Sequence, residues 1–225
     1  MKIILGNRID NNIRDPLDAV EVQDDDKENG NLNKPSVVPN SAIAQVTPWM
    51  YLCGANAVRL QSLNALRVTC IVNATVELPL LPLDGIEVLR VGVVDSPGVD
   101  LSAYFDSIAD KVEEVREKGG CVLVHCTAGV SRSASLCLAY LMKYQHMPLR
   151  KAFAHLRNVR PAVRPNSGFF RQLIDLELRL FGRESVSMVF NEAAGTQIPD
   201  VYEVDYQKMV WFQRNYRNVS LARNC

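Results

Sequence analysis

The chain has 225 residues, 48% of them hydrophobic, and its 25 Lys and Arg are balanced by 25 Asp and Glu. That length and apolar content suffice to bury one sizeable core, which excludes a wholly disordered chain. Zero net charge excludes the overall basic excess of a general nucleic-acid binder, though not a local basic pocket.

The opening MKIIL run is too short for a signal-peptide core or a membrane span. Lys2 at the second position excludes N-myristoylation, and Cys225 as the last residue excludes prenylation. The expectation is a soluble intracellular protein, cytoplasmic or nuclear, with no membrane and no nucleic-acid partner. Cys53, Cys70, Cys121 and Cys137 sit in apolar runs, and with Cys126 and Cys225 they form neither a disulfide framework nor a zinc-ligand spacing. That usage suits a reducing compartment. Residues 1–41, with DDDKENGNLNKP at their centre, lack apolar periodicity and are expected to form a disordered tail. Lys27-Glu28-Asn29 matches a short degradation signal read by cell-cycle ubiquitin ligases, a match that arises readily by chance in a polar tail.

From residue 42 the pattern changes. Met50 to Cys53 reads as a short strand, and Asn56 to Leu66 has helical spacing at Ala57, Leu60, Leu63 and Leu66. Thr69 to Ala74 is a buried strand, and Ile86 to Val94 is another. Leu101 to Lys118 follows a 3.6-residue period and stops at Gly119-Gly120. Cys121 to Val124 is a buried strand that runs into His125-Cys126. Helices follow over Ser131 to Tyr144, which is small and apolar enough to be central, over Leu149 to Asn158 after Pro148, and over Asn166 to Phe181 with Asn166 as its cap. Strands alternating with helices predict an α/β fold, a central mostly parallel sheet flanked by helices, over residues 42–182. Residues 183–225 read as a C-terminal extension with an apolar run at Met188 to Phe190 and an amphipathic stretch around Tyr206 to Tyr216; the pattern leaves open whether it packs on the domain.

The chemistry is concentrated in His125-Cys126-Thr127-Ala128-Gly129-Val130-Ser131-Arg132-Ser133. A buried strand ends at Cys126, a loop of small residues follows with Gly129 able to take positive φ, and a helix begins near Ser131. The backbone N–H groups of Thr127, Ala128, Gly129, Val130 and Ser131 can form an anion nest, and the helix N-terminus adds partial positive charge. Arg132 offers a planar guanidinium that holds two phosphate oxygens at once. A thiol over such a nest loses its proton more easily. Ser133 is placed to donate to the sulfur, and His125 to fix the loop without serving as the acid. The competing reading is a buried structural cysteine with an unrelated arginine. His125, the preceding apolar strand, Gly129 and the helix that follows all argue against it.

The stretch resembles the HCxxGxxRS signature of dual-specificity protein phosphatases, and Ala139-Tyr140-Leu141-Met142 and Arg164-Pro165-Asn166-Ser167-Gly168-Phe169 match further motifs of that family. The resemblance covers about Val46 to Gly182. Pro199 to Glu203 is similar to the tail of some small atypical members. It implies a cysteine-phosphatase fold, phosphoprotein substrates and a phosphocysteine intermediate, with no cofactor and no metal. It also implies a general acid on a loop about thirty residues before the cysteine. Asp95, 126 − 95 = 31 residues ahead and entering Ser96-Pro97-Gly98, is the candidate. A turn-capping aspartate is its ordinary alternative, and Asp100, a helix-cap candidate, is its rival. His146 and His155 read as ordinary surface or core histidines. A loop without lysine favours protein substrates over inositol lipids, RNA 5′ ends or glycans. A phosphate-binding scaffold without turnover is the remaining alternative, and the oligomeric state is not legible.

Overall fold

The computed structural model describes residues 43–79 and 83–211. The expected tail, the Lys27-Glu28-Asn29 match, Cys225 and the far half of the amphipathic stretch after residue 211 lie outside the described residues.

Five strands make one sheet: β1 (Ala44–Thr47), β2 (Met50–Gly54), β3 (Val68–Asn73), β4 (Glu87–Arg90) and β5 (Cys121–Cys126), in the spatial order β1-β2-β5-β3-β4. β1 runs antiparallel to β2 and every other pair is parallel. The sheet is mostly parallel and flanked by helices. Strand alternation divides the side chains between two layers. On β5, Val122, Val124 and Cys126 join the large core under the helices α2 (Phe105–Glu117), α3 (Arg132–Gln145), α4 (Leu149–Val159) and α5 (Ser167–Phe181). Leu123 faces the other way, into a smaller cluster with Cys53, Leu63 and Ile71 beneath α1 (Leu60–Ala65). α3 is central: Arg132 to Met142 are all buried, as its run of small and apolar residues predicts.

Four details depart from the sequence expectation. The helix expected over Asn56 to Leu66 is a 3-10 turn, Ala55–Ala57, and then α1, because Val58 and Arg59 are extended between them. The shift of phase leaves Leu60 59% exposed. The strand expected to Val94 pairs only over Glu87–Arg90, since β3 ends at Asn73 and offers no further ladder; Val91 and Val93 still bury their side chains. The helix expected from Leu101 opens as a 3-10 turn over Ser102–Tyr104 before α2. β1 was not legible in the sequence, being four residues long at the sheet edge.

The C-terminal segment packs on the domain. β6 (Met188–Asn191) and β7 (Thr196–Pro199) form an antiparallel hairpin, and Asp200–Tyr202 is a 3-10 turn leading into helix over residues 203–211. Val186, Ile198 and Tyr202 are members of the large core. Tyr202 lies against Phe153 and Phe170, with ring centroids 5.6 and 5.3 Å away. Among the described residues no helix is long and apolar enough to cross a membrane.

Candidate active site

The site forms where parallel strands end together, the usual crevice of open α/β sheets. β5 ends at Cys126, in register with Gly54 of β2, while Asn73 of β3 lies beside His125. Between Cys126 and α3 the backbone carbonyls are all engaged on the outside of the loop. The Thr127 carbonyl accepts from Ala55 N at 3.1 Å, and that of Val130 from Arg164 N at 2.9 Å. Those of Ala128 and Gly129 accept from the buried Arg160 guanidinium at 3.0 and 2.7 Å. In a trans peptide the N–H points opposite to the carbonyl. The loop N–H groups are therefore turned inward, and Gly129 N donates to Cys126 Sγ at 3.2 Å. Gly129 has φ +68°, and a Cβ there would lie 2.4 Å from the Cys53 carbonyl, so the loop closes only with glycine at this place.

Cys126 is 1% exposed. Burial alone pushes a thiol up, but the Ser133 hydroxyl at 3.1 Å and the N–H groups of Ser133, Val130 and Gly129 outweigh it and hold Cys126 below the ordinary cysteine range. Neighbouring thiols behave oppositely: burial pushes Cys53 up to about 12 and Cys70 up to about 11. Among these cysteines, Cys126 alone has donors arranged on its sulfur.

Arg132, 4% exposed, starts α3 immediately after Ser131, the helix cap. Its Nη1 donates to Glu77 Oε2 at 2.9 Å and to the Val93 carbonyl at 3.1 Å; Nη2 donates to Glu77 Oε1 at 2.6 Å and to Thr127 Oγ1 at 3.1 Å. Its Nε is buried with no hydrogen-bond partner among the described residues.

Asp95 reaches this group from the loop after β4. Its Oδ1 accepts from Ser131 Oγ and from Asn166 Nδ2, each at 2.8 Å, and its Oδ2 lies 3.9 Å from Arg132 Nε. Asn166 also caps α5, its Oδ1 accepting from Phe169 N at 3.0 Å. Asp100 stands apart. It accepts from Ser102 N and Oγ at 2.9 and 2.6 Å, at the start of the 3-10 turn that leads into α2, which is close to the helix-cap role expected of it.

The structure thus brings Cys126, Arg132, Asp95, Ser131 and Ser133 together around the loop, with the Thr127 and Ala128 side chains exposed at its mouth and Val130 half-buried. Ser131 is buried, and its hydroxyl serves Asp95 and Asn166 N. The His125 side chain, expected to fix the loop, interacts with the backbone of Cys126, and the rest of the loop is held through its backbone carbonyls. Burial holds the His125 imidazole below its usual pKa. His146 takes the left-handed position that ends α3, and His155 Nε2 lies 2.8 Å from the Val46 carbonyl; neither touches the loop. Sequence reasoning missed Glu77, Arg160 and Gln172, whose amide holds the Asp95 loop through Leu101 N, Ser102 N and the Val99 carbonyl. None has a local signature, because each is identified by a partner 30 or more positions away.

Comparison with known proteins bears on the family and the fold. The family described as "Dual specificity phosphatase, catalytic domain" matches residues 50–179. Dual specificity protein phosphatase 14 of Homo sapiens is 44% identical over 169 residues, 75% of this chain and 84% of that one. Dual specificity protein phosphatase 18 of Homo sapiens is 42% identical over 180 residues, 80% and 93% of the two chains. Among solved structures, human DUSP28 superposes with TM-score 0.60 at 36% identity, covering 61% of this chain and 94% of that one. A mouse putative dual specificity phosphatase complexed with zinc tungstate gives TM-score 0.61 at 33% identity, covering 68% and 96%.

Proposed function

This chain belongs to the dual specificity protein phosphatase family, and we propose that Cys126 is its nucleophile, Arg132 its phosphate grip and Asp95 its general acid and base. The observation that carries the assignment is the carbonyl arrangement. Every carbonyl from Thr127 to Val130 is bonded outward, which leaves a ring of N–H groups over a thiol already held below its ordinary pKa.

A phosphomonoester seats its oxygens on the N–H groups of residues 127–131 and on Arg132, with phosphorus above Cys126 Sγ. The thiolate attacks, the S–P bond forms and the P–O ester bond breaks. Asp95 gives its proton to the departing oxygen from Oδ2, the oxygen that makes no hydrogen bond among the described residues. Water then attacks phosphorus, Asp95 takes its proton, and the S–P bond breaks with Ser133 donating to the leaving thiolate. The loop carries no lysine, which favours phosphoproteins over polyphosphorylated lipids. A buried nucleophilic thiol and free cysteines fit an intracellular setting, and residues 42–182 serve as the catalytic domain.

The test is hydrolysis of p-nitrophenyl phosphate and of a phosphothreonine peptide by the wild type, Cys126→Ser and Asp95→Asn. Cys126→Ser is expected to have no turnover. Asp95→Asn should lose on the order of 10²–10⁴ on the peptide, whose alkoxide leaves poorly, and less on the aryl ester. Near-normal peptide turnover in Asp95→Asn would move the acid to Asp100, and a wild type that binds phosphopeptide without turnover would restore the scaffold reading.

A further inference from the structure

Glu77 lies on the loop after β3 and touches none of the inward N–H groups of residues 127–133 among the described residues. It contacts the outer side of Arg132. A guanidinium presents two forks that share Nη2: Nη1 with Nη2, and Nε with the second Nη2 hydrogen. The Glu77 carboxylate fills the first fork with both oxygens, at 2.9 and 2.6 Å. It also accepts from Thr127 Oγ1 in the loop and from its own neighbour Val76 N. The second fork ends in the buried Nε, which makes no hydrogen bond among the described residues and lies 3.9 Å from Asp95 Oδ2, while its Nη2 hydrogen rests on Thr127 Oγ1. Four of the five N–H groups are therefore spent on protein acceptors. The one left over faces the space between the thiol loop and Asp95.

We propose that Glu77 is a positioning residue for the phosphatase reaction: it clamps the outer fork of Arg132 so that the inner fork is oriented to receive two phosphoryl oxygens before substrate arrives. The proposal rests on the assignment of Arg132 as phosphate grip. Glu77 is 42% exposed at the side chain while Arg132 is buried, so the clamp closes from the mouth of the site. A freely turning arginine would lose the second fork to solvent or to Asp95. A clamped one needs only to exchange Thr127 Oγ1 for a substrate oxygen, which costs little.

The sign of the effect is decisive. If Glu77 were simply a negative charge near the cradle, its removal would strengthen binding of a phosphate dianion. As a clamp, its removal weakens binding. The full-length chain is to be compared as wild type, Glu77→Ala, Glu77→Gln and Glu77→Asp, with inorganic phosphate as the probe. Its affinity is measured by competition against aryl phosphate hydrolysis and, in the Cys126→Ser background, by calorimetry. Glu77→Ala should weaken phosphate about 10- to 100-fold, the scale of a charge-assisted pair. Glu77→Gln, with one accepting oxygen, should fall between Glu77→Ala and wild type. Glu77→Asp keeps the charge but is a methylene short, and should resemble Glu77→Ala. The pH at which iodoacetamide alkylates the thiol should stay with the wild type, separating the clamp from a general disturbance of the loop. If folded Glu77→Ala, or Glu77→Gln should the alanine variant not fold, binds phosphate as tightly as wild type or more tightly, the proposal is overturned. Turnover by Cys126→Ser would instead remove the underlying assignment, whatever the binding series gave.

Discussion

At residue 168 the absence of a side chain decides the chemistry. Gly168, in the first turn of α5, lies against the Asp95 loop, and a Cβ there would sit 1.9 Å from the Pro97 carbonyl. That neighbour is backbone, so the loop itself would have to move. Gly168→Ala is expected to lower peptide kcat by roughly tenfold or more by displacing Asp95, while alkylation of Cys126 proceeds as in the wild type. Parallel loss of both would mean that the methyl group disturbs the whole cradle. Ser133 gives the complementary case: its hydroxyl stabilises the thiolate, so Ser133→Ala should raise the thiol pKa. The pH midpoint of alkylation should then move upward, and an unmoved midpoint would show that the backbone N–H groups suffice.

Among the elements, the C-terminal hairpin and its following turn are part of the support for the site. Tyr202 fills a slot between Phe153 and Phe170 and donates to the Pro165 carbonyl at 2.8 Å. Pro165 lies between Arg164, whose N–H holds the Val130 carbonyl, and Asn166, whose amide holds Asp95. Asp205 fastens the same region through Arg157 and Arg164 at 3.0 and 2.9 Å. Tyr202→Ala removes a buried aromatic and should cost about 3–5 kcal/mol in urea unfolding, as large aromatic deletions do. Tyr202→Phe, which gives up one hydrogen bond, should cost about 1 kcal/mol. A loss under 1 kcal/mol for Tyr202→Ala would mean that the turn docks only loosely.

For the whole molecule, buried His125 links stability to pH. Its imidazole is buried on β5, and burial lowers its pKa below the ordinary 6.5, outweighing a hydrogen bond with the Cys126 backbone that acts the other way. The unfolded chain binds a proton more readily, so this contribution is fully present above about pH 6.5 and is lost as pH falls through the lower folded value. Between pH 7.5 and 5, wild-type unfolding free energy should therefore decline more steeply than that of His125→Gln. Equal slopes would show that the carboxylates alone carry the acid sensitivity.

The sequence by itself determined everything whose cause is local. Short apolar runs gave the four parallel strands and the 3.6-residue spacing and composition gave α2 to α5, to within a few residues, and Asn166 announced its helix. The spacing from Cys126 to Ser133 gathered thiol, small loop, arginine and hydroxyl in one stretch, because a nest at a strand-to-helix junction is built from consecutive residues. Asp95 was reached only through its distance from Cys126 and the resemblance of the motifs. What the tertiary structure decided depends on approach between distant parts of the chain. The edge strand β1 is four residues long and is defined by its partner. The break at Val58 and Arg59 shows only in the folded backbone. Glu77, Arg160 and Gln172 hold groups 31 to 73 positions away. A hydrogen bond carries no sequence period, so a residue that works by where the fold delivers it leaves no pattern until the chain is folded.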